Sequence, residues 1–142
     1  MTVGNILKFK GNDVVTVSPS DSVAEVVRTL ARHRIGCVVV HDGATVAGVF
    51  SERDFARAVA EQGAGVLDHA VKAHMTSRVV TCTSRDTIDE IMEAMTRGRF
   101  RHIPVVDDDQ LIGIISIGDV VRRKIETAEL EVISMREYIA TG

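Results

Sequence analysis

Two short motifs hold the residues best suited to chemistry in this chain. Each consists of a glycine, two apolar residues and then Ser-x-x-Asp, so that Ser51 is paired with Asp54 and Ser116 with Asp119. Ser-x-x-Asp after an apolar strand is typical of a helix whose first turn is capped by the serine. The same helix N-terminus offers N–H groups and a positive dipole end to a phosphate, and an aspartate one turn in suits the two hydroxyls of a ribose. The motif therefore predicts a cap, a nucleotide site or both.

The two motifs belong to an internal repeat. Residues 15–57 match residues 80–122 at a constant offset of 65, without a gap. A repeat of fixed period indicates structural units that bury apolar faces against one another. Two repeats are too few for a solenoid, so we expect one pseudo-symmetric domain with clefts along its central seam. The identical pairs include Thr16/Thr81, Asp21/Asp86, Glu25/Glu90, Arg32/Arg97, Arg34/Arg99, Val40/Val105, Asp42/Asp107, Gly48/Gly113, Ser51/Ser116, Asp54/Asp119 and Arg57/Arg122.

The composition is that of an ordinary globular domain. The chain has 142 residues, of which 45% are hydrophobic and 26% charged, enough for one domain with a real core. A net charge of -3 and the lack of tryptophan argue against nucleic-acid binding. No apolar run approaches the roughly 20 residues that a membrane span needs, and the start lacks the apolar segment of a signal peptide. Cys37 and Cys82 form no C-x-x-C motif, which favours free thiols and a cytoplasmic location.

Both repeats have the pattern strand, helix, strand, strand, helix. Capping boxes start the predicted helices at Ser22 and Thr87, and apolar residues at helical spacing follow each of them. The near-continuous apolar character of the later strands indicates a sheet covered on both faces. We expect an N-terminal arm at 1–13, repeat one at 14–60, a linker at 61–77, repeat two at 78–125 and a C-terminal helix at 126–142. The predicted strands are 14–17, 37–40 and 46–50 in repeat one and 79–82, 103–106 and 111–115 in repeat two.

The C-terminal helix has an apolar seam of its own. Six apolar residues between 121 and 139 are spaced 4, 3, 4, 3 and 4 apart, which is a heptad pattern. Such a helix either packs back on its own domain or contributes to a homodimer contact, and the sequence leaves both open. The seam residues are Val121, Ile125, Ala128, Val132, Met135 and Ile139.

Several segments together resemble one known family. They are Thr16 with Asp21, residues 35–40 (Ile-Gly-Cys-Val-Val-Val), residues 48–54 (Gly-Val-Phe-Ser-Glu-Arg-Asp), His74-Met75-Thr76, residues 101–107 (Arg-His-Ile-Pro-Val-Val-Asp) and residues 116–119 (Ser-Ile-Gly-Asp). In combination they resemble the cystathionine-β-synthase (CBS) domain. The chain is similar to a stand-alone pair of such domains, over about residues 14–60 and 75–125.

The resemblance implies a mixed α/β fold in which two tandem β-α-β-β-α repeats pack about a pseudo-two-fold axis, followed by the long C-terminal helix. It also implies two clefts for adenosine-containing ligands such as AMP, ADP, ATP, NAD or S-adenosylmethionine. In those clefts Asp54 and Asp119 would hold the ribose rings, and Ser51 and Ser116 would lie near phosphate. Such domains bind without catalysing a reaction, so no catalytic residue, metal or catalytic cofactor is expected. The residues that would frame adenine are Thr16, Thr81, Ile35, Gly36, Cys37, His102, Ile103 and Pro104.

Basic residues are distributed unequally between the two repeats. Arg101 and His102 are matched in repeat one by Gly36 and Cys37, and Arg53 is matched in repeat two by glycine. Relatives with basic residues at the place of Arg101 and His102 use them on phosphate. We therefore expect clefts of unequal affinity, with the phosphates near Arg101, His102 and Arg53.

Three functions compete. The leading hypothesis is an adenine-nucleotide sensor that acts on a protein partner in trans or by rearranging an oligomer. The alternative is a protein-interaction regulator of redox enzymes such as thioredoxins, with vestigial nucleotide sites. A small enzyme is the weakest hypothesis, because the sequence offers no metal constellation, general base or reactive thiol pair.

Overall fold

The computed structural model describes residues 1–141, which form five α-helices and five strands. The helices are α1 (Val3–Lys10), α2 (Val23–His33), α3 (Glu52–Gln62), α4 (Ile88–Gly98) and α5 (Ile117–Thr141). The strands are β1 (Thr16–Val17), β2 (Cys37–His41), β3 (Val46–Ser51), β4 (His102–Asp107) and β5 (Gln110–Ser116). Two short 3-10 helices, Ala64–Asp68 and Val71–Ala73, lie between α3 and α4. This is the mixed α/β fold that the sequence predicts.

Repeat one is built around a three-stranded sheet in the order β1-β2-β3. Strand β1 runs parallel to β2 with Thr16 opposite Val39, and β2 runs antiparallel to β3 with Cys37 opposite Ser51. The apolar stripe of α2 packs against this sheet, as its helical spacing predicts. The buried core consists of Val17, Val23, Val26, Leu30, Val38, Val40, Phe50 and Val71.

Repeat two lacks the first strand that the sequence predicts at residues 79–82. Only Cys82 pairs with the sheet, through a single parallel bridge to Val105. In repeat one, the N–H of Val39 donates to the carbonyl of Val15 and so extends the pairing of β1. The residue equivalent to Val39 is Pro104, which has no N–H to donate. The strand prediction was wrong here because a proline stands where the second hydrogen bond would form.

Helix α1 lies in the segment predicted as an arm and packs into the core of repeat two. Val3, Ile6 and Leu7 are buried there, and the N–H of Val3 donates to the carbonyl of Asp86 at 2.9 Å. The other members of this core are Cys82, Ile88, Ile91, Met95, Ile103, Val105, Ile115 and Val120.

The linker contacts repeat one as α1 contacts repeat two. The N–H of Val71 donates to the carbonyl of Asp21 at 2.8 Å, in the place of the bond between Val3 and Asp86. Likewise, Met75 approaches Gly48 as Leu7 approaches Gly113. The internal symmetry therefore includes the segment that precedes each repeat, at an offset of 68 rather than 65.

Helix α5 begins at Ile117 and leaves the body of the domain. Val120 is its one buried residue among those described, while residues 128–141 are all exposed. The alternative that this helix packs back on its own domain is therefore wrong. Among residues 1–141, none of the helices combines the length and the apolar character that crossing a bilayer requires.

Candidate functional site

Two clefts lie between the repeats and are related by the internal symmetry. The first, which we call the Asp54 cleft, is bounded by the start of α3, the linker at Thr76 and the turn between α4 and β4. This arrangement brings the Ser-x-x-Asp motif of one repeat against the basic turn of the other. The cleft is lined by Gly36, Cys37, Val49, Ser51, Glu52, Arg53, Asp54, Arg57, Thr76, Arg99, Phe100, Arg101 and His102.

Asp54 is a buried charged residue, with 6% of its surface exposed. Its Oδ2 accepts hydrogen bonds from the backbone N–H of Ser51 at 2.9 Å and from the Ser51 hydroxyl at 3.0 Å. Its Oδ1 accepts one from the hydroxyl of Thr76 at 3.0 Å, and a guanidinium nitrogen of Arg57 lies 3.6 Å away. Ser51 and Asp54 form the predicted capping box. The cap and a cleft-facing carboxylate therefore coexist in one motif.

Cations outnumber anions in the Asp54 cleft. Its lining includes four arginines, whereas the carboxylates are those of Glu52 and Asp54. Arg99 is the left-handed residue that ends α4, with φ of 55°. Arg53 joins the repeats by donating to the carbonyl of Arg99 at 3.4 Å. The arginines are Arg53, Arg57, Arg99 and Arg101.

In the second cleft, which we call the Asp119 cleft, a residue of helix α1 pairs with the aspartate that is equivalent to Asp54. Nζ of Lys10 donates to Oδ2 of Asp119 at 2.6 Å and to the carbonyl of Ile114 at 2.7 Å. Lys10 lines both the cleft and an adjoining pocket, and Asp119 reaches only the pocket. The lining is Lys10, Asp13, Val14, Val15, Arg34, Ile35, Gly36, Cys37, His102, Ile114 and Ser116.

The ion pair with Lys10 controls the protonation of Asp119. Burial alone would raise the pKa of this carboxyl group, but hydrogen bonds from Lys10 and the N–H of Ser116 outweigh that effect. The net result is that the pKa of Asp119 lies below its usual value. Asp119 therefore remains ionised and paired with Lys10 at neutral pH.

Gly36, Cys37 and His102 lie between the two clefts and line both of them. Burial, together with the charges of Lys10 and Arg101, lowers the pKa of His102, although Asp119 and Glu52 oppose the shift. Burial, together with the charge of Asp54, raises the pKa of the Cys37 thiol to about 12. His102 is therefore neutral and Cys37 protonated near pH 7, which leaves the arginines as the main cations of the Asp54 cleft.

Comparisons with known proteins agree with this architecture. The family model for the CBS domain matches residues 5–61 and 71–126 of the chain. The chain belongs to the CBS-domain family. The first CBS match begins inside α1, which agrees with the packing of this helix into the core of repeat two.

Two solved structures and one curated relative illustrate the likeness. The crystal structure of a CBS-domain containing protein from Agrobacterium tumefaciens is 50% identical, with a TM-score of 0.85 over 87% of this chain and 99% of that chain. A CBS domain protein from Pyrobaculum aerophilum complexed with AMP is 28% identical, with a TM-score of 0.74 over 84% of this chain and 89% of that chain. The mitochondrial CBS domain-containing protein CBSX3 of Arabidopsis thaliana is 31% identical over 99% of this chain and 73% of its own length.

The CBS pair brings nine of the fourteen sequence-predicted site residues to the lining of the clefts, but Asp119 and four others do not line them. Thr16 and Thr81 are exposed and line neither cleft, and Ile103 and Pro104 are buried within repeat two. The Asp54 cleft is lined by Ser51, Arg53, Asp54 and Arg101, and the Asp119 cleft by Ile35 and Ser116. Both clefts are lined by Gly36, Cys37 and His102. Asp119 lines the adjoining pocket, where it pairs with Lys10.

Among the polar residues that the sequence analysis did not assign to the site, three contact the aspartates of the two motifs. Thr76 and Arg57 contact Asp54, and Lys10 contacts Asp119. Arg57 is identical to Arg122 in the repeat alignment, which could have drawn attention to it. Lys10 and Thr76 belong to the segments before each repeat, where the symmetry appears at a different offset and at low identity.

Proposed function

We propose that this CBS pair is a regulatory module that binds a phosphate-bearing adenosine ligand, such as AMP, ADP, ATP or NAD, in the Asp54 cleft. The observation that carries the proposal is a buried carboxylate placed in the same cleft as four arginines. Each of these features fits one part of a nucleotide.

Asp54 suits the ribose. Its Oδ1 accepts a single hydrogen bond within the protein, from Thr76, and a carboxylate oxygen has room for a second. A vicinal diol offers two O–H donors, and hydrogen bonds to an ionised acceptor are stronger than those between neutral groups. Thr76 can turn its hydroxyl toward the ligand or remain as an additional partner.

The arginines suit the phosphates. A guanidinium group binds phosphate oxygens through two parallel N–H donors, and its charge persists at all physiological pH values. Arg53 and Arg101 come from different repeats and line the same cleft. A phosphate between them would connect the repeats, which gives a route from ligand binding to a change in how the repeats meet. A cationic ligand such as S-adenosylmethionine would find this cleft less favourable.

The Asp119 cleft should bind more weakly or not at all. A ribose can reach Asp119 only after Lys10 breaks an ion pair of 2.6 Å and its bond to the carbonyl of Ile114. The proposal therefore includes one nucleotide for each chain. The AMP complex of the Pyrobaculum aerophilum relative supports an adenine nucleotide as the ligand class.

A direct test is isothermal titration of the full chain with AMP, ADP, ATP, NAD, S-adenosylmethionine and adenosine. We expect one site for at least one phosphate-bearing ligand, and a thermal shift of roughly 5 to 10 °C at 100 times its Kd. Arg101→Gln should weaken AMP binding about tenfold and leave adenosine binding unchanged. Arg32→Gln, on the exposed surface of α2, is the matched control. Absence of binding by every ligand in the panel would overturn the proposal.

A second candidate is a protein-interaction regulator, for example of redox enzymes, with vestigial nucleotide sites. The observation in its favour is that the protein's own side chains, Thr76 and Lys10, already contact both cleft carboxylates. A panel without any binding, together with an undiminished effect on a protein partner, would support it. We propose a non-enzymatic role in both cases, with output in trans. The cytoplasmic location stays a prediction, since the relative CBSX3 is described as mitochondrial.

A further inference from the structure

The heptad seam of α5 is exposed along its whole length. Between 44% and 75% of the surface of its five large apolar residues is in contact with solvent. The remaining seam residue, Ala128, is exposed as well. An apolar stripe of this length on the surface marks a contact that a single chain does not satisfy. The five large residues are Val121, Ile125, Val132, Met135 and Ile139.

The seam does not face the body of its own domain. Contacts with the body are made by Val120, which is buried, and by Arg123 and Thr127, which are half-buried. Arg123 also places its guanidinium group 4.2 Å from the centre of the Phe9 ring of α1. Because these residues lie on a different side of the helix from Val121 and Ile125, another chain can cover the seam without displacing any of them.

We propose that α5 pairs with α5 of a second copy of this chain as a parallel, two-stranded coiled coil. The spacing assigns Ile125, Val132 and Ile139 to the a positions and the other seam residues to d. All three a residues are β-branched, which is the preference at a in parallel two-stranded coiled coils, although the d positions hold Val, Ala and Met in place of the usual Leu. A short isolated coil is marginal in water, but α5 starts from a folded body that has already nucleated it.

Charges beside the seam select the second copy as the partner and fix its direction. In a parallel coiled coil, each g residue lies beside the e residue that starts the next heptad of the other helix. Lys124 at g then meets Glu129 at e of the second copy, and Glu131 at g meets Arg136 at e. Both contacts join opposite charges, and two-fold symmetry forms each of them twice. Lys124 also forms an ion pair with Asp89 of α4 in its own chain and is 46% exposed, so its ammonium group would be shared between Asp89 and Glu129 of the second copy.

An antiparallel arrangement of the two helices would bring like charges together. If an antiparallel pair brings all six seam residues of one helix into contact with those of the other, the e residues of the two helices lie beside each other, and so do the g residues. Glu129 would then face Glu129, Glu131 would face Glu131, and Arg122 would face Arg136. A shift by one heptad removes these like-charge contacts but leaves two seam residues of each chain without a partner. Among the arrangements that pair all six seam residues, the charge pattern is therefore complementary to itself only in the parallel direction.

The first experiment is sedimentation of the full chain, whose mass is 15.4 kDa. We expect a dimer at micromolar concentration and a monomer for Val132→Glu. Ile133→Glu is the matched control, because Ile133 is the next residue, is exposed to 50% against 49% for Val132, and lies outside the seam. Dissociation by Ile133→Glu with no effect of Val132→Glu would overturn the proposal, as would a wild-type chain that stays monomeric at 100 times that concentration.

The second experiment tests direction by exchanging charges. Glu131→Lys should weaken the dimer roughly tenfold, because two attractive contacts become repulsive. Adding Arg136→Glu should restore the dimer, since the introduced ammonium group would then face an introduced carboxylate. In the full-seam antiparallel pair, Glu131→Lys only exchanges one like-charge contact for another, so an unchanged dimer would overturn the parallel direction.

A cysteine at the end of the seam gives a measurement that does not depend on affinity. Ile139→Cys places two thiols side by side in a parallel pair and at opposite ends of an antiparallel one. The native Cys37 and Cys82 are buried and do not compete. Mild oxidation should link Ile139→Cys chains and leave Ile133→Cys chains single. Equal linkage of both variants would contradict the proposal. None of these measurements depends on nucleotide binding.

Discussion

Nζ of Lys10 and Oδ2 of Asp119 are 2.6 Å apart, although 109 positions separate the two residues in the chain. This ion pair is one difference between two clefts that the internal repeat relates. At the equivalent carboxylate, Asp54, the neutral hydroxyl of Thr76 donates the hydrogen bond, and the guanidinium group of Arg57 stays 3.6 Å away. A hydroxyl can share a carboxylate with a ribose, whereas a lysine that also bonds a carbonyl must leave first.

Removal of the lysine should open the Asp119 cleft. Lys10→Met keeps the aliphatic part of the side chain and deletes the ammonium group, so Asp119 becomes free to accept hydroxyl donors. We expect isothermal titration with AMP to change from one site to two for each chain. Lys8→Met, on the exposed side of α1, should stay at one site. If the Lys10→Met variant still binds one AMP for each chain, Lys10 does not control the Asp119 cleft. That result would leave the proposed site in the Asp54 cleft unaffected.

The two aspartates should differ when each is replaced by asparagine. Asp54→Asn removes the charged acceptor and should cost nucleotide binding about 1.5–3 kcal/mol, which is at least a tenfold loss of affinity. Asp119→Asn should leave AMP affinity unchanged, because Lys10 already covers Asp119 in the wild-type chain. Titration of both variants with AMP measures the difference, and their melting temperatures show whether each remains folded. Equal losses in the two variants would contradict the assignment of a single site.

The lowered pKa of His102 predicts a loss of stability in weak acid. The unfolded chain binds a proton at His102 as the pH falls through about 6.5, while burial keeps the folded histidine neutral to a lower pH. The free energy of unfolding should therefore decrease between pH 6.5 and the lower folded pKa, and level off below it. Urea unfolding at pH 7.5 and 5.5 should show a smaller decrease for His102→Asn than for wild type. The exposed His33, changed to asparagine, serves as the control.

Gly48 and Gly113 are equivalent in the repeat but should tolerate alanine differently. A Cβ at Gly48 would lie 2.7 Å from the carbonyl oxygen of Thr76, whereas a Cβ at Gly113 would lie 2.7 Å from a methyl carbon of Leu7. The Thr76 backbone is held by two hydrogen bonds to Val49 and cannot shift easily, but a leucine methyl can rotate. We expect Gly48→Ala to destabilise the protein by about 1–3 kcal/mol. Gly113→Ala should cost clearly less, as measured by urea unfolding, and the reverse order would contradict this account.

Several features of the fold could be predicted from short-range patterns. The serine caps precede α2 at Ser22 and α3 at Ser51 because their hydrogen bonds join residues three positions apart. The reciprocal bond of the predicted capping box is present at Ser51 and Asp54, whereas at Ser22 the cap is the bond from the N–H of Glu25. Strand β3 was predicted within one residue, since its apolar run is continuous. The prediction of a strand at 79–82 was wrong because Pro104, in the neighbouring strand β4, has no N–H to donate to that segment. This loss can be recognised only when the pairing of the two segments is known.

The sequence by itself determined the repeat, the helix caps, the paired aspartates and the seam of α5. It did so because each of these is encoded by neighbours within about one turn of helix or by a constant offset along the chain. Only the tertiary structure decided that α1 completes the core of repeat two, that Thr76 contacts Asp54 and that Lys10 pairs with Asp119. Those contacts join residues far apart in the chain, and their formation depends on how the repeats pack, which no local pattern encodes.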